Sequence, residues 1–197
     1  MLCATLMLTA ACSPHAVEPA PLAGAQIGGP FTLVGADGRT VRDTDFAGKY
    51  RLVYFGYTFC PDVCPVDLNA LMLGLKQFER QNASAASRVQ PLFITVDPAR
   101  DTPAVMGQYA RSFHPRLIGL TGTAEQIADV ARKYVITYAR QPGATPDSYL
   151  VAHAQIAYLM GPDDKPIALI PVDDAATADV NEGSPDAVAR ALARWVR

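Results

Sequence analysis

The 197-residue sequence has no cluster of basic residues. Its 17 Lys and Arg are offset by 19 Asp and Glu, for a net charge of −2. Nucleic acids and anionic lipid headgroups are typically bound by blocks of Lys and Arg, so we expect neither partner. Half of the residues are hydrophobic, which is enough to build a core and excludes wholesale disorder.

Cysteine is scarce, and the four cysteines are not equivalent. Cys3 and Cys12 lie in the apolar start of the chain, so the expected folded domain holds only Cys60 and Cys64. Two thiols are too few for a four-thiolate zinc site or for the disulfide framework of a small scaffold. The sequence also lacks a Met-His cluster and a glycine-rich phosphate loop, which argues against a methionine-based copper carrier and against nucleotide binding.

The apolar start, residues 1–11, is shorter than the roughly 20 residues that span a bilayer. We interpret it as a lipoprotein-type signal peptide, because residues 8–12 (LTAAC) place small residues before Cys12. The positive charge usual in such a signal is missing, since the first Lys or Arg is Arg39. We expect an exported protein on the periplasmic side of a bacterial inner membrane, held to the membrane only by a lipid anchor at Cys12. An apolar N-terminus of a cytosolic protein is the alternative.

The rest of the chain predicts a tether and one domain. Residues 12–30 are rich in Pro, Ala and Gly and indicate a flexible tether, whereas residues 31–197 indicate a single domain. The hydrophobic pattern predicts a hairpin (31–34 with 40–41), a strand (51–56), a helix (63–81), a strand (91–96), a helix (102–113), a strand (117–120), a helix (123–134), a short strand (135–139), a loop (141–151), a hairpin (154–160 with 166–170), a polar insert (173–183) and a last helix (186–196). This order indicates an α/β protein with a central mixed β-sheet, helices on both faces and an N-terminal β-hairpin extension, as in the thioredoxin-like fold.

Cys60 and Cys64 lie where the strand at 51–56 gives way to a helix. Residues four apart share one face of a helix, and the free N–H groups at a helix start stabilise a thiolate. Pro61 and Pro65 suit a first helical turn, which favours a reactive dithiol over two inert buried cysteines. Such a pair can bind Cu(I) or zinc, or cycle to a disulfide, and a third ligand would favour metal.

Three histidines are candidates for that third ligand. His15 lies in the predicted tether, where we expect no role for it. His114 precedes Pro115 at a predicted helix end, and we interpret it as a helix-end residue. His153 lies where the loop at 141–151 turns into a strand.

Four motifs, in order, resemble those of the Sco/SenC copper proteins. They are residues 54–65 (YFGYTFCPDVCP), 96–103 (VDPARDTP), 119–123 (GLTGT), and 149–153 (YLVAH) followed by 161–163 (GPD). The resemblance covers residues 31–197. It implies a thioredoxin-like fold and one copper ion per chain, as Cu(I) or Cu(II), bound by Cys60, Cys64 and His153.

The resemblance also implies a function and partners. The implied function is that of a copper metallochaperone, rather than an enzyme, that delivers copper for assembly of the copper sites of cytochrome c oxidase. The implied partners are the copper-site subunit of the oxidase and a periplasmic copper donor, and we expect a monomer. Two positions depart from the family, which often has an acidic residue where Ala152 stands and Glu where Ala99 stands. If the acidic residue orients the imidazole, its loss weakens copper binding by about 10–100-fold. If it docks a partner, its loss indicates a different client.

Other functions remain open for the same residues. A thiol-disulfide reductase would use Cys60 and Cys64 as a redox-active dithiol to keep the oxidase copper-ligand cysteines reduced, and His153 would then be incidental. Reductases of the thioredoxin type place a cis-proline before the strand that faces the cysteines, and no proline directly precedes residues 154–160. A peroxidase fits less well, because Thr58 is one residue too close to Cys60 for the Thr-x-x-Cys motif. A redox or copper sensor that binds a partner is the last alternative.

Asp97, Arg100 and Asp101 form a charged cluster after the strand at 91–96. We interpret the cluster as a set of loop salt bridges that fixes the start of the following helix. Docking of a partner is the alternative role.

Overall fold

The computed structural model describes residues 18–145, 148–173 and 182–197. In chain order its elements are β1 (Thr32–Val34), β2 (Thr40–Arg42), a 3-10 helix (Asp43–Phe46), β3 (Tyr50–Gly56), α1 (Val63–Gln81), α2 (Ala83–Ser87), β4 (Val89–Thr95), α3 (Pro103–Phe113), β5 (Ile118–Leu120), α4 (Ala124–Lys133), β6 (Tyr138–Gln141), β7 (Leu150–His153), β8 (Ala157–Met160), β9 (Pro166–Ile170) and α5 (Pro185–Trp195). Within these ranges no helix is both long enough and apolar enough to cross a bilayer. The predicted signal peptide at 1–11, with Cys3 and Cys12, lies outside the described residues, as do His15 and most of the predicted polar insert.

The central sheet has five strands in the order β5-β4-β3-β8-β9. β3 pairs in parallel with β4, and β4 with β5, whereas β8 runs antiparallel to β3 and to β9. Strands β3 and β4 are almost wholly buried, as expected for parallel strands covered on both faces. The sheet is therefore mixed, as predicted.

Side chains of β3 alternate between two hydrophobic cores. Leu52 and Tyr54 face a core built with α1, α3 and α5, whereas Val53 and Phe55 face a second core built with α4 and the β1-β2 hairpin. The helices therefore cover both faces of the sheet, as predicted, and the N-terminal hairpin lies beside α4.

The helices α3, α4 and α5 begin at residues whose side chains cap the first turn. The side chains of Thr102 and Ser184 each accept a backbone hydrogen bond in the first turn, and a proline follows each of them. Thr123 forms a capping box with Gln126. These starts were predictable because each depends on residues within one helical turn.

The strands around His153 differ from the prediction. Residues 154–160 do not form one strand, because β7 ends at His153 and β8 begins only at Ala157. β7 pairs with β6 in a separate two-stranded ribbon, which we call the histidine ribbon (β6 and β7). The first strand of the ribbon, β6, begins at Tyr138, three residues after the predicted start at residue 135. The delay arises because Val135 takes a left-handed conformation at the end of α4.

The described part of the predicted tether, residues 18–30, lies against the domain. Leu22 N donates to Ile167 O at 3.0 Å, and Gly28 N donates to Lys133 O at 2.8 Å. The side chains of Leu22 and Ile27 pack against the second core. These apolar contacts give the segment a fixed place, which its Pro, Ala and Gly content did not indicate.

A close approach joins α1 to α5. A Cβ atom at Gly74 would lie 2.5 Å from Cβ and Cγ1 of Val188 and 2.7 Å from the backbone oxygen of Pro185. Glycine is therefore required at this crossing, since any side chain would push the two helices apart.

We expect Gly74→Ala to lower the free energy of unfolding by about 1–3 kcal/mol through overpacking. A decrease in the free energy of unfolding would be diagnostic of the close contact. Without that contact the substitution should stabilise the protein, because alanine is a better helix former than glycine by about 1 kcal/mol. Urea denaturation monitored by circular dichroism would measure the change. Asn69→Ala, at an exposed position of the same helix, is the control and should shift stability by less than about 0.5 kcal/mol. A Gly74→Ala protein as stable as the wild type would contradict the close approach.

Candidate metal centre

The two cysteines lie on the loop that leads from β3 into α1. Cys64 is in the first turn of α1 and is fully buried, whereas Cys60 is partly exposed. The backbone N–H of Cys64 donates to Cys60 Sγ at 3.4 Å, while the preceding Asp62 makes no side-chain capping bond. A thiol thus takes the place that an N-cap oxygen usually fills, and the cysteines lie at a helix start as predicted.

His153 reaches the cysteines from the end of the histidine ribbon. Its Nε2 atom lies 3.0 Å from Cys64 Sγ, and its Nδ1 atom lies 3.1 Å from the backbone oxygen of Ala154. For metal binding the ring proton would lie on Nδ1, where it is donated to Ala154 O, and the lone pair of Nε2 would be free for the ion. A histidine that binds a metal is commonly held in this way.

The three side chains form a compact donor set. Both sulfurs and one imidazole nitrogen lie within 4.8 Å of one another, so the group could hold a metal ion. Two soft sulfurs with one nitrogen suit Cu(I) or zinc better than a hard cation such as Mg²⁺.

The two thiols are electrostatically unequal. Hydrogen bonding from Cys64 lowers the pKa of Cys60 to about 3, against the opposing effect of burial, and His153 and the backbone N–H groups of Asp62 and Cys64 add to the lowering. The pKa of Cys64 is raised, because its thiol donates to Cys60 and is buried. The metal-free site therefore holds a thiolate on the exposed sulfur and a thiol on the buried one.

Two tyrosine rings flank the imidazole of His153. The rings of Tyr57 and Tyr54 lie edge-on to it, with centroids 6.0 and 6.5 Å away. Tyr54 donates its hydroxyl to Asp67 at 2.7 Å, and Gln155 reaches the same carboxylate at 3.4 Å. Burial raises the pKa of Asp67.

His114 is a helix-end residue, as interpreted from the sequence. It caps the C-terminus of α3, where its Nδ1 accepts from the backbone N–H of Arg116 at 3.1 Å. Its Nε2 lies 3.4 Å from a carboxylate oxygen of Glu79. These contacts occupy both ring nitrogens away from the two cysteines.

The charged cluster after β4 contains the predicted loop salt bridge and also contacts the cysteine loop. The Asp97–Arg100 ion pair is present, at 2.5 Å, and Thr102, next to Asp101, caps α3. The carboxylate of Asp101 accepts from the backbone N–H and the hydroxyl of Thr58, at 3.1 and 2.5 Å. Besides lying at the helix start, the cluster therefore holds the cysteine loop.

Sequence reasoning missed this role of Asp101 and all roles of Tyr149, which donates its hydroxyl to Asp97 at 2.7 Å. One local pattern could have indicated the first contact. An acidic residue at the carboxyl end of a buried parallel strand needs donors, and Thr58 follows the neighbouring strand at the same edge of the sheet.

Comparison with known proteins gives a consistent family match. The family model described as SCO1/SenC matches residues 19–192. A curated relative, the mitochondrial SCO2 homolog of Bos taurus, is 47% identical over 135 residues, which cover 68% of this chain and 50% of that protein. The chain spans about half the length of the curated relatives it matches.

Solved structures of similar proteins include two with copper bound. ScoI of Arabidopsis thaliana is 34% identical with a TM-score of 0.73, and the match covers 85% of this chain and 97% of that one. ScoI of Bradyrhizobium japonicum is 36% identical with a TM-score of 0.73, and covers 86% and 99%. These relatives are thioredoxin-like, so the predicted fold class is confirmed.

The names of the curated relatives contradict the predicted location. Relatives from Bos taurus, Arabidopsis thaliana and Homo sapiens are all named as mitochondrial proteins. The prediction of a bacterial periplasmic location with a lipid anchor at Cys12 was therefore wrong, and it is not retained.

We expect iodoacetamide to alkylate Cys60 of the reduced, metal-free protein well before Cys64. The rate should stay near its plateau as the pH falls from 8 toward about 5, because Cys60 remains a thiolate above its pKa of about 3. In His153→Ala the pH at which the rate falls should rise, since a bond that lowers the pKa of Cys60 is lost. Peptide mapping by mass spectrometry across a pH series would measure both effects.

His114→Gln is the matched control, because it removes a histidine outside the donor set and should leave the pH profile unchanged. Faster labelling of Cys64, or a profile identical in wild type and His153→Ala, would contradict the assigned asymmetry.

Proposed function

The chain belongs to the SCO1/SenC family, and from this premise we propose that it is a copper metallochaperone. It binds one copper ion through Cys60, Cys64 and His153 and delivers it for assembly of the copper sites of cytochrome c oxidase. The observation that carries the proposal is the convergence of two sulfurs and one imidazole nitrogen within 4.8 Å. Copper bound to two similar proteins, from Arabidopsis thaliana and Bradyrhizobium japonicum, supports the choice of metal.

The charge of the donor set accommodates both oxidation states of copper. Two thiolates and a neutral imidazole give a total of −1 with Cu(I) and zero with Cu(II), and either is tolerable in a partly exposed site. Cys60 is already a thiolate, so copper binding has to displace only the proton of Cys64. Copper affinity should therefore rise with pH.

The arrangement also suits release of the metal. Three donors leave a coordination position open, and Cys60 is the sulfur nearer to solvent. A thiolate of the recipient can enter at the open position and displace Cys60 first, while buried Cys64 still holds the ion. We propose the copper-site subunit of the oxidase as the recipient.

A thiol-disulfide reductase is the second candidate, favoured by the low pKa of Cys60. The Cys60 thiolate would attack a sulfur of a client disulfide, forming a mixed disulfide and releasing one client thiolate. Cys64 would then lose its proton and attack Cys60 Sγ, which expels the second client thiolate. The client gains two electrons, and Cys60 and Cys64 become a disulfide. The described residues contain no cis peptide bond, so the cis-proline of thioredoxin-type reductases is not among them.

We expect the reduced wild-type protein to bind one copper per chain. His153→Ala should lower the affinity by at least about 10-fold, and Cys60→Ser by more, because each removes a donor atom rather than a residue that only orients one. Competition with a chromophoric Cu(I) chelator would measure stoichiometry and affinity. His114→Gln is the control and should bind as the wild type does. Binding that is absent, or indifferent to His153, would favour the reductase.

Ala152 offers a second test, because the family often has an acidic residue there. It is exposed in β7 next to His153, and neighbouring side chains of a strand project to opposite faces. An acidic side chain at 152 would therefore point away from the imidazole. We expect Ala152→Asp to change copper affinity by less than about 10-fold, the lower limit for residues that orient a ligand. A larger gain, measured by the same competition, would show that an acidic residue there does act on His153.

A further inference from the structure

We propose that residues 97–101, here called the bracket, set the position of the cysteine loop relative to the histidine ribbon. The bracket is the turn between β4 and α3. Its side chains hold the segment just before Cys60 on one side and the segment just before His153 on the other. The inference deepens the proposed function and rests on it, because it explains how three donor atoms from separate elements meet.

The strand topology shows that contacts outside the main sheet are needed to position the histidine ribbon. Cys60 and Cys64 follow β3, which is anchored at the centre of the main sheet. His153 ends β7, and the histidine ribbon shares no strand pairing with the main sheet. The hydrogen bonds of the sheet therefore do not set the 3.0 Å separation of Cys64 Sγ and His153 Nε2.

On the cysteine side, the bracket acts through Asp101. This carboxylate is fully buried and accepts two hydrogen bonds from Thr58 and a third from the hydroxyl of Thr95, at 2.6 Å. A buried carboxylate without donors is costly, so these three bonds favour one position of the loop. Thr58 lies two residues before Cys60, and its fixed backbone N–H limits where Cys60 can lie.

On the histidine side, the bracket acts through Asp97 and Arg100, which both contact Tyr149. The Tyr149 hydroxyl donates to Asp97 at 2.7 Å, and Nη1 of Arg100 donates to the backbone oxygen of Tyr149 at 3.0 Å. The guanidinium also lies over the tyrosine ring, 3.7 Å from its centroid. Tyr149 directly precedes β7, so these contacts hold the strand that ends in His153.

One guanidinium touches both sides of the site. Besides Tyr149, Arg100 lies 4.7 Å from the ring centroid of Phe59, the residue before Cys60, and 5.7 Å from that of Tyr57. The hydroxyl of Tyr57 accepts from the backbone N–H of Val151 at 3.2 Å. The cysteine loop and the histidine ribbon thus share contacts with the same cation and with each other.

Hydrogen bonds between residues close in sequence stabilise the conformation of the bracket. The backbone N–H of Asp97 donates to the hydroxyl of Thr95 at 2.8 Å, and the backbone N–H of Asp101 donates to Asp97 O at 3.0 Å. These bonds join the backbone segments that carry the two carboxylates, so a shift on one side of the site is opposed on the other. We classify Asp97, Arg100 and Asp101 as positioning residues.

The test uses Tyr149→Phe and Arg100→Met in the full chain. The first variant removes only the hydroxyl bond to Asp97, and the second removes the cation while keeping a long side chain. Amide hydrogen exchange of residues 150–154 in the metal-free protein is the first readout, and Cu(I) affinity by chelator competition is the second. We expect faster exchange in this segment with unchanged exchange in β3 and β4, and a loss of affinity of about 10-fold.

Gly74→Ala is the matched control, because it destabilises the protein at the α1–α5 crossing and should leave both readouts at wild-type values. Unchanged exchange at 150–154 in both variants would overturn the proposal. The proposal would also be overturned if Tyr149→Phe and Arg100→Met lost no more Cu(I) affinity than Gly74→Ala does. If the wild type binds no copper, the proposed function fails, but the exchange measurement still decides whether the bracket holds the ribbon.

Discussion

The parallel pairing of β3 with β4, at the buried centre of the sheet, is the constraint on which the site depends. Parallel neighbours bring their carboxyl ends to one edge, so the cysteine loop after β3 lies beside the bracket after β4. β8 runs antiparallel to β3, with Ala157 paired to Tyr54, and its start therefore lies at the same edge. His153, four residues before Ala157, lies at this edge as a consequence.

Close packing at this edge leaves little freedom for the buried sulfur. A Cβ atom at Gly56, the last residue of β3, would lie 2.9 Å from Cys64 Sγ and 3.0 Å from the ring of Phe93. Glycine here lets the first turn of α1 lie directly against the strand. Cys64 is thereby held inside the protein, while Cys60 stays at the surface, and this difference in burial contributes to the different pKa values of the two thiols.

The asymmetry between the thiols serves both candidate chemistries. An exposed thiolate beside a buried thiol can pass a metal to an incoming ligand, and it can also open a disulfide. What distinguishes the two functions is the imidazole, because a third donor contributes to binding a metal and is not needed for exchange between sulfurs. The position of His153, and hence of the histidine ribbon, therefore has more bearing on function than the cysteines alone.

The sequence by itself determined the order of the five strands of the central sheet and of the helices α1, α3, α4 and α5, the helix starts at Thr102, Thr123 and Ser184, and the placement of both cysteines at the head of α1. These features depend on residues within one or two turns of each other or on the periodicity of a single element. The choice of His153 as the third donor came from the resemblance to a family rather than from spacing.

Only the tertiary structure decided how the donors meet. The break between β7 and β8, the contacts of Asp101 with Thr58 and of Arg100 with Tyr149, and the packing of residues 18–30 against the domain join residues far apart in the chain. Each such contact depends on how the sheet and helices pack, because the chemical type of a side chain shows what it can bond to but not which distant partner the fold brings within reach.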